Sequence, residues 1–273
     1  MERRKFLKYA AAGAAAAVLG GTGYAAYEAG WFHVQTQRVT VPQLPAAFSG
    51  LRVAFLTDMH HGPWTGLKYI EATVKAANEL HPDLVLLGGD YTHNGSQFIE
   101  PCIDALGDLS APLGVHGVLG NHDCWNGPRR TRRAMELRNI NCLVNDGIWL
   151  TRGNSRLFLA GVDDFLQSVS DLDAALDQLP EEEPCVLLSH NPDFADKLED
   201  ERVKLILSGH THGGQVVFPL LGAPFVPSVH SQKYLQGLIQ TPTSQVFVSR
   251  GLGTVTPPVR FNCRPEINLL EWV

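Results

Sequence analysis

The sequence predicts an α/β fold with its chemistry gathered at the ends of strands, and three observations carry that prediction. Short apolar runs alternate with amphipathic, helix-spaced segments along most of the 273 residues. Several runs, such as Leu84–Leu87 and Cys185–Leu188, are apolar throughout, as strands buried on both faces are. Five runs empty into Asp, His or Asn beside Gly or Pro. Ligands of open α/β sheets gather beyond the carboxyl ends of strands, so the five clusters should meet on one rim.

The chain opens on Glu2-Arg3-Arg4-Lys5-Phe6-Leu7-Lys8, followed by an uncharged run, residues 9–27, dominated by Ala and Gly. A basic start and a mildly apolar stretch mark an export signal. The paired arginines followed by Phe-Leu-Lys resemble the twin-arginine type, whose substrates cross the membrane folded. A plain N-terminal anchor helix is the alternative, and the two are compatible. Gly23-Tyr24-Ala25 is a weak cleavage site, so cleavage and anchoring both stay open. The expected organisation is a signal or membrane anchor over 1–30 and a single domain over 31–273. The expected location is the periplasm or the outer face of the cytoplasmic membrane, with the twin-arginine export machinery as a partner.

Residues 31–41 read as a first strand, ended by Pro42 and Pro45. The β-rich run Leu51–Leu56 delivers Thr57-Asp58-Met59-His60-His61-Gly62. Leu67, Ile70, Val74, Ala77 and Leu80 then keep a helical spacing that Pro82 closes. The strand at 84–87 ends in Gly88-Gly89-Asp90, and a helix is expected over 98–109. The strand at 114–119 leads to Gly120-Asn121-His122-Asp123, and residues 129–139 read as a basic helix. Strands at 148–152 and 157–161 flank Gly153-Asn154-Ser155, a hairpin signal. After a helix over 171–179, the strand at 185–188 reaches Ser189-His190-Asn191-Pro192, where Pro192 suits a first helical turn. The run at 203–207 ends in Ser208-Gly209-His210-Thr211-His212-Gly213-Gly214-Gln215. Strands at 246–248 and 267–272 complete the chain.

Composition narrows the function. A hydrophobic share of 44% with 18% charged residues is that of a globular chain with a real core. The net charge of −6 argues against a dedicated nucleic-acid binder. Residues 1–26 carry four basic and one acidic side chain, so without them the net charge is −9. That excess of carboxylate suits a cation site. The five cysteines lack paired spacing, and their odd number leaves at least one thiol unpaired within the chain.

The rim should therefore carry Asp58, His60, Asp90, Asn121, His122, His190, His210 and His212. Six of the 11 histidines, counting His61, fall in these clusters. Each alone has a structural reading: Asp90 as a helix cap, His190 as a core histidine. Together at one topological position they point to metal. Imidazole, carboxylate and amide donors suit first-row divalent ions such as Mn, Fe, Zn or Co. Seven candidate ligands are too many for one catalytic ion and about right for two. Two ions ~3.5–4 Å apart clamp a phosphoryl oxygen and supply a hydroxide nucleophile near neutral pH. No G-x-S-x-G motif offers a serine nucleophile instead.

Asp58-x-His60, Gly89-Asp90, Gly120-Asn121-His122-Asp123, His190 and Gly209-His210-Thr211-His212 together resemble the motif set of the calcineurin-like metallophosphoesterase superfamily. The resemblance runs in order over roughly residues 50–270. It implies a two-sheet β-sandwich flanked by helices, with a dinuclear site at the strand C-terminal ends. It implies that Asp58, His60 and His212 bind one ion, that Asn121, His190 and His210 bind the other, and that Asp90 bridges them. It further implies that His122 contacts the phosphate and protonates the leaving group, with Asp123 orienting it. The start of the chain, His60-His61-Gly62, Gly213-Gly214-Gln215 and Ser249-Arg250-Gly251-Leu252-Gly253 resemble the exported bacterial YaeI- and YkuE-like phosphodiesterases.

The expected function is metal-dependent phosphodiester hydrolysis by a metal-bridging hydroxide. The alternatives are a membrane-associated pyrophosphatase acting on a nucleotide-linked lipid such as UDP-diacylglucosamine, and a non-catalytic metal-binding scaffold. Substrate contacts have two weaker candidates, His61 and Arg250. The run from Phe218 to Val229 is a candidate apolar lip for a lipid or a membrane surface, and a packed loop is its structural reading.

Overall fold

Nearly every apolar run is a strand in the computed structural model, which describes residues 3–273. Within the first helix it describes the side chains of residues 3, 5, 7–9, 13 and 19 onward; Glu2 and the side chains of Arg4 and Phe6, part of the expected signal, lie outside the described residues. Twelve strands are observed among the described residues: β1 (His33–Val39), β2 (Leu51–Leu56), β3 (Leu84–Leu87), β4 (Val115–Gly117), β5 (Ile140–Cys142), β6 (Asp146–Arg152), β7 (Ser155–Gly161), β8 (Cys185–Leu188), β9 (Val203–Ser208), β10 (Gly237–Gln240), β11 (Gln245–Val248) and β12 (Glu266–Trp272). The helices are α1 (Arg3–Ala29), α2 (Leu67–Glu79), α3 (Ile99–Leu106), α4 (Asn121–Asn126), α5 (Pro128–Leu137) and α6 (Leu172–Ala175).

The strands form two six-stranded sheets, in the orders β1-β12-β2-β3-β4-β5 and β10-β11-β9-β8-β7-β6. Their inner faces meet in one apolar layer, where Val53, Phe55, Leu84 and Leu86 pack with Val186, Leu188, Leu205, Leu207, Phe247 and Trp272. The outer face of the first sheet is covered by α2, α3 and α5 through Ile70, Val74, Ile103, Leu106 and Met135. A third cluster, including Phe158, Leu187, Ile206 and Phe194, covers the outer face of the second sheet. The expected helix-flanked two-sheet sandwich is therefore the fold.

Four parallel pairings, two in each sheet, position the functional residues. β2, β3 and β4 run parallel in the first sheet, and β8, β9 and β11 run parallel in the second. All their carboxyl ends consequently open on one edge of the sandwich.

Several boundaries differ from expectation. The helix expected over 171–179 contracts to α6, its N-terminus capped by Asp171, whose side chain accepts from the Ala174 amide. The strand expected over 114–119 ends at Gly117, because the backbone must turn towards α4. The sequence reading passed over three short elements, α4, β5 and β10. The alanine-rich start is one continuous helix, α1; among the described residues no helix is long and apolar enough to cross a membrane.

Candidate metal centre

The loops after β2 and β3 are laced together before any side chain is considered. The Asp58 amide donates to the Gly89 carbonyl at 2.9 Å and the His60 amide to the Asp90 carbonyl at 3.0 Å. Asp58, His60, Asp90, His210 and His212 all take positive φ, between 47° and 69°. Side chains rarely accept that region, and five cases among seven candidate ligands mark a backbone held strained by its surroundings. Two glycines make the close approach feasible. A Cβ on Gly209 would lie 2.1 Å from Asp58 Oδ2, and one on Gly120 would lie 2.2 Å from Asp90 Oδ1.

The candidates fall into two buried groups. In the first, His60 Nε2 and His212 Nε2 are 3.0 Å apart, and Asp58 Oδ1 is 3.7 Å from the former and 3.4 Å from the latter. The second comprises Asp90, His190 and His210, with Asp90 Oδ2 3.2 Å from His190 Nε2. The same Asp90 oxygen lies 3.5 Å from His60 Nε2, so it stands between the groups. Asn121, the first residue of α4, is buried and lines the same cavity.

The electrostatics are those of charges confined together. Burial acts to raise the Asp58 and Asp90 carboxyls, yet the surrounding imidazoles hold both below the ordinary carboxylate range, His212 foremost at Asp58 and His190 at Asp90. Burial acts to lower His190, and Asp90 outweighs it, leaving His190 well above 6.5. Burial, and next His190, push His210 down to about 4. His212 is lowered by burial, with the Arg260 cation adding to the effect. Neutral imidazoles are the form that binds metal, so His210 and His212 are ready for an ion, while at His190 an ion would take the place of the proton that Asp90 holds there.

Protein donors leave a ligand-shaped deficit here. His190 Nδ1 donates to the Gly88 carbonyl at 2.7 Å, which turns its other nitrogen towards Asp90 in the tautomer a metal ligand needs. That Nε2, His60 Nδ1 and Asn121 Oδ1 are buried without a hydrogen-bond partner among the described residues. Each such group costs roughly 1–3 kcal/mol if left unmet. The donor set of carboxylate oxygens, imidazole nitrogens and an amide oxygen fits divalent first-row metals.

His122 sits at the mouth of these groups, half-buried, its amide donating to Asp90 Oδ1 at 2.8 Å. Its ring corrects one expectation. Nδ1 meets the His93 carbonyl at 2.9 Å, so the contact that orients His122 comes from the β3–α3 connection and not from Asp123. Asp123 instead accepts from the amides of Asp90 at 2.7 Å, Tyr91 at 3.0 Å and Gly120 at 2.9 Å, tying two ligand-bearing loops together. Burial, and then the Asp90 charge, raise its carboxyl to about 8.

Sequence reasoning missed three neighbours. His93 packs against His60 and stacks on His122, and neither of its ring nitrogens has a partner among the described residues. Trp125 lies edge-on to His122 at 4.6 Å and is exposed. Arg260 is fully buried behind His212, donating to the carbonyls of Arg250 at 2.8 Å and Gly253 at 2.6 Å. The sequence spacing of α4 could have flagged Trp125, three residues after His122; nothing in the sequence marks Arg260.

A cavity of about 650 Å³ opens from this edge. Its floor carries Asp90, Asn121, His122, His210 and His212. Its walls are mostly apolar: Trp125, Leu166, Pro224, Phe225, Val226, Val229, Val255 and Pro257. Residues 224–229 of the 218–229 segment line the cavity, and Phe218, Leu220, Leu221, Phe225 and Val229 are exposed. The two weaker substrate candidates are engaged elsewhere. Arg250 pairs with Glu266, its Nε at 2.7 Å. His61 is buried, with Nδ1 on the Thr65 carbonyl at 2.9 Å and its ring against Phe98. Of the basic helix, Arg130 pairs with Glu100 and Arg133 with Glu136 at the surface.

Residues 51–214 match the calcineurin-like phosphoesterase family, and residues 1–20 match the TAT (twin-arginine translocation) pathway signal sequence, which supports export. The chain is 32% identical over 278 aligned residues to the metallophosphoesterase YkuE of Bacillus subtilis (strain 168), covering 98% of this chain and 96% of that one. It is also 32% identical over 278 residues to the phosphodiesterase YaeI of Escherichia coli (strain K12), covering both chains completely, 100% of each. Among solved structures, the Thermus thermophilus protein TT1561 superposes with a TM-score of 0.51 at 15% identity, covering 75% of this chain and 91% of that one, a likeness of fold.

Proposed function

The chain belongs to the calcineurin-like phosphoesterase family and is a hydrolase of phosphoric esters, and from that premise we propose that it is a dinuclear phosphodiesterase. In this reading Asp58, His60 and His212 hold one divalent ion, and Asn121, His190 and His210 hold the other. Asp90 is shared, because one of its oxygens faces both groups. Bound there, the ions would supply Lewis-acid charge and a water of lowered pKa. Mn, Fe, Zn and Co all suit these donors.

The remaining work falls to side chains. His122 has Nδ1 committed to the His93 carbonyl, which leaves Nε2 to meet the substrate. Its imidazolium form, which burial disfavours in the absence of an anionic substrate, would donate a proton to the departing ester oxygen. Asp123 keeps the Asp90 and Gly120 loops at a fixed separation. Trp125 and Phe225 line the cavity beside His122 and offer apolar surface to the substrate's ester groups.

The observation that favours a diester is the cavity lining. No Lys or Arg lines it among the described residues. Beyond the ions and His122, a monoester dianion would find no Lys or Arg for its second charge, whereas a diester carries only one. The named activity of YaeI points the same way. The apolar walls favour a second reading as well, a nucleotide-linked lipid pyrophosphate at the membrane, with the acyl part against Phe225, Val226 and Val229.

The test is hydrolysis of bis(p-nitrophenyl) phosphate, p-nitrophenyl phosphate and a UDP-linked lipid by one manganese-loaded preparation. Diester cleavage abolished by chelation and restored by Mn²⁺ is expected. Equal activity in a metal-free preparation would remove the dinuclear mechanism, and preference for the monoester would remove the diester assignment. Binding of metal with no turnover of any ester would leave the scaffold reading.

A further inference from the structure

The last turn of α1 is bonded into the loop that backs His212. Glu28 has no exposed surface, and its two carboxylate oxygens accept from the amides of Asn262 at 3.2 Å and Cys263 at 2.6 Å. The Ala25 carbonyl accepts from the Arg260 amide at 2.9 Å. Tyr24 packs edge-on against Phe261 at 6.0 Å. Just beyond the helix, Arg264 donates to the carbonyls of Trp31 and Phe32, and its guanidinium covers the Trp31 ring at 3.6 Å. The whole 260–264 segment is therefore pinned from the N-terminal side.

That segment in turn holds His212. Arg260 reaches the His212 carbonyl at 3.4 Å and comes within 3.4 Å of its Nδ1. Cys263 Sγ lies 3.2 Å from the same carbonyl and 3.4 Å from that of Gly213. A carboxylate that meets two backbone amides in a buried site fixes a loop more firmly than a neutral acceptor does. Glu28 thus fixes the loop, the loop fixes Arg260 and Cys263, and those two fix the backbone of a candidate metal ligand.

An export segment is ordinarily read as dispensable to the folded enzyme. Here the contacts say otherwise for its final turn. We propose that residues from Ala25 onward are a permanent part of the mature enzyme, with Glu28 a positioning residue that holds His212 in the Asp58–His60–His212 group. The folded domain then begins inside α1, and the candidate cleavage site at Gly23-Tyr24-Ala25 is not used. The effect on metal rests on the dinuclear reading above; the retention of the helix end does not.

Two measurements on the full-length, exported protein test this. Intact mass and N-terminal sequencing should give a chain that begins at or before Ala25; a chain that begins after Ala25 overturns the proposal. In calorimetric titration with Mn²⁺, the metal-free wild type should take up two ions, and Glu28→Ala should weaken one site about 10- to 100-fold while the other is unchanged. Two ions bound at wild-type affinity overturns the positioning role. If Glu28→Ala shows no cooperative melting, Glu28→Gln is titrated in its place. Its single carbonyl oxygen meets one amide of two, so a smaller loss at one site is expected and wild-type affinity at both sites overturns the role. A wild type that binds fewer than two ions counts against the dinuclear centre, and the N-terminal result still decides retention.

Discussion

His60 and His212 stand 152 residues apart in the chain and face each other through Nε2 atoms 3.0 Å apart. Two neutral imidazoles can meet that way only by sharing one proton, or by both turning a lone pair towards a cation. Asp58 Oδ1 completes the triangle at 3.7 and 3.4 Å. In the dinuclear proposal the shared partner is a cation, and the positive φ of all three residues is strain of the kind that persists where a site over-determines the backbone.

Asp90→Asn should disturb both groups at once, because one Asp90 oxygen faces His60 and His190 together. The loss of one negative charge in a buried site is expected to reduce bound metal below two ions per chain. Diester turnover should fall on the order of 100-fold or more. Metal analysis and kcat on the same preparation check this.

His122→Ala should separate chemistry from metal. His122 borders the groups around Asp58 and Asp90 without belonging to either, although its ligand atom also lies within 4.8 Å of those of His60 and His93. Turnover is expected to drop about 10²- to 10⁴-fold, the range for a lost general acid, with two ions still bound. A drop confined to KM would remove the proton-donor role.

Phe225→Asp or Trp125→Ala should reveal what the cavity walls recognise. Each removes apolar surface from the mouth. For esters with long apolar groups, KM is expected to rise about tenfold, corresponding to 1–2 kcal/mol of lost burial. For a short, polar diester it should barely move. Equal effects on both would show that the walls serve only the fold.

All five cysteines should resist alkylation in the folded protein. Burial pushes the Cys124 and Cys142 thiols up to about 12, and it raises those of Cys102, Cys185 and Cys263 as well. At pH 8 the reactive thiolate is scarce in each. Iodoacetamide followed by mass analysis should find labelling only after denaturation.

His116 should steepen the acid limb of stability. It is mostly buried, its Nε2 donates to the Leu113 carbonyl at 2.8 Å, and burial lowers its pKa from the ordinary 6.5. Below 6.5 the unfolded chain therefore binds a proton that the folded chain refuses. The stabilisation from a neutral His116 is full above that pH and declines as pH falls towards the lowered folded value. Asp123 and the histidines of the candidate centre titrate across the same range in both proteins, so the difference between wild type and His116→Gln isolates His116: the variant should lose less stability just below pH 6.5, measured by urea unfolding across pH.

Much of the architecture was legible before any coordinates. Uninterrupted runs such as Leu84–Leu87 and Cys185–Leu188 can lie only between two apolar layers, and they do. Short elements were not legible. α4 is six residues long, and its formation rests on Asp123 meeting the Gly120 amide, a contact no periodicity announces. Likewise Asp123 beside His122 suggested a pair in the chain, but one residue of helical rotation sends the two side chains to different partners.

The sequence by itself determined which residues are available for chemistry and at which strand ends they stand, because strand periodicity and glycine placement are local properties. Only the tertiary structure decided which of these side chains come together, that Arg250 is taken by Glu266, and that Glu28 reaches across to Cys263. Those outcomes depend on how two sheets pack and how their connecting loops cross. Such contacts are set by distances between segments remote in the chain, and no local pattern encodes them.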